Sequence, residues 1–142
     1  MNNACPIELT KEPKIAYFSM EIGIRNDIPT YSGGLGVLAG DTIRTGADLK
    51  LPMVAVTILT KKGYFIQELD EHGNQTEQPI SWDPSKYMTL LPAMITVQIE
   101  GRDVLVQAWQ YNVESLTRGC VPVFFLDTDI EGNTPEDREI TS

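Results

Sequence analysis

Thr30 to Asp41 reads TYSGGLGVLAGD, and three of its glycines, Gly33, Gly34 and Gly36, stand where a helical pattern begins. Glycine is costly there, because it loses more backbone freedom on folding than any other residue. Two physical reasons would justify the cost. A helix start exposes unpaired N–H groups and the positive end of the helix dipole, and glycine removes the side chains that would hold an anion away. Alternatively, small residues let a helix pack closely on a sheet, a purpose that Gly46 and Ala47 serve further along. The chemistry of the first reading is the cradling of a phosphate by bare backbone amides.

Two nucleotide-binding motifs fail here. Gly34-x-Gly36-x-x-Ala39 has the spacing of the dinucleotide fingerprint, but a loop from Ile22 to Ser32 separates it from the preceding strand. The acidic residue expected about 20 positions later falls in LPMVAVTIL, which has none. No Gly-Lys-Ser/Thr occurs, so the phosphate loop of nucleotide triphosphatases is absent.

Other polar groups have ordinary roles open to them. Asp41 falls on the polar side of the helix pattern, as a surface or pairing group. Arg44 and Asp48 are four apart and able to pair. His72, the only histidine, sits in a turn between Glu71 and Gly73 and reads as a surface residue. Lys61 and Lys62 lie near a strand edge as solvated charges. Trp82, Trp109 and Tyr111 offer sugar-stacking faces, with packing as the simpler role. Cys5 and Cys120 form no C-x-x-C motif and read as two reduced thiols.

The elements that position these residues follow from periodicity. Met1 to Pro13 is a loose arm, and residues 14–142 form the folded part. KIAYFSME suits a buried strand. Leu35, Leu38, Ala39, Thr42, Ile43, Gly46 and Ala47 trace one helical face, with Ser32 as N-cap and Pro52 as stop. MVAVTILT is a second apolar strand, so strand, helix and strand read as a βαβ unit with a parallel pair. A hairpin turning at Gly73 and Asn74 follows, then a Pro-punctuated connector, SWDPSKYMTLLP. A second hairpin turns at Glu100-Gly101-Arg102, with Ile95, Val97 and Ile99 alternating before it. VPVFFLDTD is a third buried strand whose C-terminal edge is where ligands sit in open α/β sheets. The tail IEGNTPEDREITS shows no terminating element. One helix is little cover for such a sheet, which points to part of a larger fold.

The length of 142 residues suits one domain, and 42% hydrophobic residues supply a core. The net charge of −9 disfavours nucleic acid and anionic membranes as partners. The N-terminus lacks a basic region followed by an apolar run, and the longest apolar stretches are too short to span a bilayer. A cytoplasmic protein is expected.

AYFSMEIGI, SGGLGVLAGD, GYFIQELDEHGNQTE and VPVFFLDTDI…NTPEDREIT occur in that order. Together they resemble the N-terminal part of α-glucan (glycogen/starch/maltodextrin) phosphorylases, most closely the shorter prokaryotic branch. The resemblance runs from about Lys14 to the last residue. It implies α/β architecture: a partial Rossmann-like N-terminal lobe of a GT-B fold, with parallel core strands and β-hairpin excursions. It implies phosphorolysis of α-1,4-glucan to glucose 1-phosphate, with pyridoxal phosphate as an acid/base group held by a lysine of the C-terminal lobe.

By the same resemblance Gly33, Gly34, Leu35 and Gly36 bind substrate. Gly34 is the foremost phosphate donor, and Leu35 lies close to the glucosyl unit. Glu21 matches the acidic residue at the end of the first strand, facing the cleft, and Arg25 is placed to pair with it. Members of the shorter branch usually carry an aromatic and a basic residue just before the Gly-Tyr-Phe segment, where this chain has Thr60 and Lys61. The chain offers no candidate for the cofactor lysine or the C-terminal lobe. The expectation is therefore a fragment that binds no cofactor, has no catalytic residue of its own and self-associates through exposed apolar surface. Two further readings are a non-catalytic glucan-binding or regulatory module and a glycogen or starch synthase lobe. The synthases place a lysine before their Gly-Gly-Leu loop, where this chain has Tyr31 and Ser32.

Overall fold

A computed structural model describes residues 15–141. The N-terminal arm with Cys5, the first residue of the expected folded part, Lys14, and the last residue, Ser142, lie outside the described residues. The elements, in order, are β1 (Ile15–Phe18), α1 (Gly34–Asp48), β2 (Met53–Ile58), β3 (Phe65–Leu69), β4 (Gln75–Pro79), a 3-10 turn (Pro84–Lys86), β5 (Thr89–Ile99), β6 (Arg102–Glu114), β7 (Cys120–Asp127) and α2 (Pro135–Arg138).

A five-stranded mixed sheet runs in the order β1-β2-β7-β6-β5, and β3 and β4 form a separate antiparallel pair. β1 pairs parallel with β2 from Ile15↔Met53 to Phe18↔Val56, and β2 pairs parallel with β7 from Ala55↔Val123 to Ile58↔Leu126. Continuous apolar sequence explains the choice in β2 and β7, where Ala55, Val121, Val123 and Phe125 are fully buried. β1, expected to be a buried strand, instead lies at the sheet edge and is mostly exposed, Phe18 by 72%. β6 and β5 then extend the sheet antiparallel. β5 starts inside the stretch expected to be a connector, at Thr89. The chain tolerates Pro92 there because β5 is an edge strand whose register shifts between Leu90 and Met94. As an edge it buries less than its alternation suggests, and Ile95 is mostly exposed.

The buried side of α1 is Gly36, Ala39, Gly40, Ile43, Gly46 and Ala47, whereas Leu35 and Leu38 are 65% and 62% exposed. The expected face is thus turned by about one residue. The loop after β1 is the cause. It buries Ile22, Ile24 and Ile28 and brings its backbone onto the helix, where the Gly23 amide donates to the Gly36 carbonyl at 2.8 Å. A Cβ on Gly40 would lie 2.1 Å from the Gly23 carbonyl oxygen, and one on Gly36 would lie 2.4 Å from Cβ of Tyr31. Gly36 and Gly40 are therefore packing glycines, one helical turn apart.

Four local expectations are corrected. The N-cap is Gly33, with no side-chain cap bond; Ser32 donates elsewhere. Arg44 pairs with Asp41 rather than Asp48, and its other nitrogen donates to the carbonyls of Gly23 and Ile24. Asp48 instead accepts from Ser115 in the β6–β7 turn. The tail also has structure: Thr134 caps α2 by accepting from the Asp137 amide, and Arg102 pairs with the buried Asp137 at 3.0 Å. Cys120 is disulfide-bonded, which overturns its reading as a reduced thiol.

Candidate functional site

β1, β2 and β7 are parallel, so their C-terminal ends lie along one sheet edge, where α1 also begins. In open α/β sheets that edge is the usual ligand site. It gathers residues 19–21, 59–61, 127–129 and the glycine-rich helix start.

Gly33 and Gly34 are exposed, and a Cβ added to either would meet nothing within 4 Å. Packing therefore does not explain them, in contrast to Gly36. Gly33 is extended, with φ −147°, and its carbonyl accepts from the Val37 amide at 3.3 Å. The amides of Gly34, Leu35 and Gly36 are the first of α1, which an α-helix leaves without an intrahelical acceptor. No acidic residue occupies the first turn to neutralise the dipole. The two readings of the glycines thus divide between residues: Gly36 packs, and Gly33 and Gly34 keep the backbone bare.

Glu21 is half-buried beyond β1 and reaches this helix start. Its carboxylate accepts from the Ser32 amide at 3.4 Å and from the Ser32 hydroxyl at 3.3 Å. Tyr64 lies near enough to feel its charge. Burial first, then the Glu21 charge, push Tyr64 above the usual phenol range. The expected Arg25 partner is absent from this set. Arg25 makes a bidentate pair with Asp27, both bonds 2.7 Å, and lies 5.9 Å from the centre of the Tyr87 ring. A partner two residues away on the same exposed loop is the easier one to reach.

Further along the edge lies a network that the sequence reading missed. Asp127, fully buried at the end of β7, accepts from Trp109 Nε1 at 3.0 Å, Gln107 Nε2 at 2.9 Å and the Asp129 amide at 2.9 Å. Lys61 pairs with Asp127 at 3.0 Å and with Asp129 at 3.3 Å, and Arg138 closes on Asp129 at 2.6 Å. Lys61 is thus a partnered lysine, not a solvated charge. A buried carboxylate must be paired, and the polar end of VPVFFLDTD was the available signal. Trp109 packs against the core and anchors Asp127, and Tyr111 packs there too. Trp82 also packs on the core, and its Nε1 donates to the Thr60 carbonyl at 3.0 Å. His72 is an exposed turn residue, as expected.

Among the described residues no group of histidine, cysteine, aspartate or glutamate is arranged to hold a metal ion. No helix there is long and apolar enough to cross a membrane.

No family model matches the chain. It is 43% identical over 136 residues to the maltodextrin phosphorylase of Thermococcus litoralis, covering 91% of this chain and 16% of that protein. It is 40% identical to the glycogen phosphorylase of Mycobacterium tuberculosis, covering 89% of this chain and 15% of that protein. It is 31% identical to the glycogen phosphorylase of Aquifex aeolicus, covering all of this chain and 21% of that protein. The chain spans about a sixth of the length of the first of these relatives. Over most of its own length, then, this chain is similar to one stretch of the maltodextrin and glycogen phosphorylases, as its four sequence segments led one to expect.

Proposed function

We propose that this chain is part of an α-glucan phosphorylase, a partial N-terminal lobe of a GT-B fold, and that the start of α1 receives the substrate phosphate. The reaction is the phosphorolysis of α-1,4-glucan. A phosphate oxygen bonds to the anomeric carbon of the terminal glucose as the glycosidic C–O bond breaks. Glucose 1-phosphate leaves, and the freed 4-oxygen of the shortened glucan takes up the phosphate's proton to become a hydroxyl.

The observation that carries this reading is the bare backbone at Gly33 and Gly34, open to solvent and uncapped by any side chain. Amides at a helix start stabilise an oxyanion through direct hydrogen bonds and the aligned dipole. The Gly34 amide is the foremost donor, and Leu35, 65% exposed, lies against the glucosyl unit. Glu21 positions the approach by holding Ser32, the residue just before the glycines.

Pyridoxal phosphate is the cofactor that the resemblance implies, and the described residues do not fit it. Lys61 is engaged by two carboxylates, Asp127 and Asp129. An imine-forming lysine is set in an apolar pocket or beside another cation. No step is assigned to the group here. The chain by itself is expected to be catalytically silent, cytoplasmic and self-associating. The test is backbone amide NMR with inorganic phosphate: the Gly34–Gly36 signals shift with phosphate and stay in place with chloride at matched ionic strength.

A further inference from the structure

β1 is the last strand on its side of the five-stranded sheet, and among the described residues no strand lies beyond it. The Ile15 amide donates to the Pro52 carbonyl at 3.2 Å, and the Ser19 amide donates to the Val56 carbonyl at 3.2 Å. In a parallel pair, successive residues turn their backbone groups to opposite sides. The amides and carbonyls of Ala16 and Phe18 therefore point away from β2, at the open edge. Natural sheets guard such edges with charge, proline or bulges. The opposite edge, β5, has Pro92 and a shifted register, whereas Ile15–Phe18 has neither charge nor proline. We propose that the β1 edge pairs antiparallel with the same edge of a second copy of this chain, joining two sheets across a twofold axis. The pairing rests on the self-association expected above and gives it a surface.

The four residues of β1 complement themselves. Ala16 and Phe18, the two that point outward, meet Phe18 and Ala16 of the second copy, and each pair exchanges N–H···O=C bonds in both directions. Small Ala16 then lies beside the large, exposed ring of Phe18. Tyr17 falls on the axis against the second copy's Tyr17, an aromatic cross-strand pair. There is room for these rings. α1 packs most closely over β7 and β6, and beside β1 that face holds an open apolar groove of about 450 Å³. Ile15, Tyr17, Thr42, Thr45, Leu51 and Met53 line it. Charge also selects this edge. A net charge of −9 repels a second copy over most of the surface, but β1 carries no charge. In the sequence Lys14 precedes it and Glu21 follows it, so antiparallel strands bring opposite charges toward each other at both ends. So short a pairing belongs at the small end of interfaces, and the dimer forms at micromolar or higher concentration.

The test is sedimentation of the unaltered chain, with amide hydrogen exchange read by NMR at low and high concentration. Mass rises to two copies and stops, because a twofold pairing closes on itself. As it rises, exchange at the Ala16 and Phe18 amides slows by about tenfold once roughly nine-tenths of the chain is paired. The Ile15 and Ser19 amides, already bonded within the chain, change little. Ala16→Pro removes an outward N–H and none of the bonds to β2, and it weakens the dimer by about tenfold or more. Phe18→Lys leaves the backbone unaltered, places a charge on the edge and has the same effect, which keeps the test open where the proline variant fails to fold. Mass that stays at one copy overturns the proposal and the expected self-association together. Mass that rises while Ala16 and Phe18 stay unprotected, or that climbs past two copies, overturns the β1 pairing and leaves self-association standing. So does a dimer affinity within about twofold of the unaltered chain in the folded variants.

Discussion

The carboxylate of Glu21 accepts both the amide and the hydroxyl of Ser32, eleven residues later in the chain. That contact ties the end of the first strand to the residue before the glycine-rich helix start. The charge of the same carboxylate also reaches Tyr64, which comes from beyond the second strand. One side chain therefore joins the first strand's end to the helix start and sets the charge that Tyr64 meets at the sheet edge.

Glu21→Gln tests this junction. Tyr64 titrates above its ordinary value near 10.0, chiefly through burial and then through the Glu21 charge. Removing the charge lowers the Tyr64 titration toward that value without reaching it, because burial remains. Ultraviolet or NMR titration reads the shift; an unchanged Tyr64 would show that Glu21 does not reach it.

Acid should loosen the Asp127 edge through Asp129. The Arg138 bond, followed by Lys61, holds Asp129 below the usual 3.8. The unfolded chain therefore binds the proton more readily, and stability rises with pH across this window. The contribution is complete above the unfolded value and is lost as pH falls through the lower, folded one. Asp137 adds in the same direction, held down by Thr134 and then by Arg102. Urea midpoints measured at successive acid pH values should fall more steeply for the unaltered chain than for Asp129→Asn. Parallel curves would exclude a role for Asp129.

Gly40→Ala should cost about 2 kcal/mol of stability, since overpacking outweighs the gain in helix propensity. The new Cβ would meet the Gly23 carbonyl oxygen, a backbone atom that cannot turn aside. Denaturant unfolding measures the loss. A neutral result would mean that the loop does not pack on α1 as described.

Exposed apolar side chains on and just after β1 and on α1, among them Phe18, Met20, Leu35 and Leu38, predict self-association. Sedimentation should show mass rising with concentration, and Phe18→Ser should reduce it. A clean monomer throughout would contradict this expectation.

The βαβ core was legible because its strands are unbroken apolar runs and Pro52 ends the helix. The hairpin turns were legible too: Gly73 and Gly101 adopt φ of 80° and 79°, which side chains resist. The rotation of α1 was not, because it depends on a loop that carries no period of its own. Ser32 reads as a cap until Glu21, brought in by the fold, takes its hydroxyl. Lys61 reads as a surface charge because Asp127 is 66 residues away in the chain. α2 has only four residues, too few for periodicity to reveal. At the glycine stretch, residue types raised both anion binding and packing. Only the fold separates Gly36, which packs, from Gly33 and Gly34, which do not.

The most direct test compares the unaltered chain with Gly34→Ala in a phosphate titration followed by amide NMR. The added methyl group meets open space and should leave stability unchanged or raise it by about 0.5 kcal/mol. The account predicts saturable phosphate shifts at Gly34–Gly36 in the unaltered chain, and a clearly weaker response in the equally stable variant. Phosphate that leaves Gly34–Gly36 unmoved, or that binds both proteins alike, would contradict it.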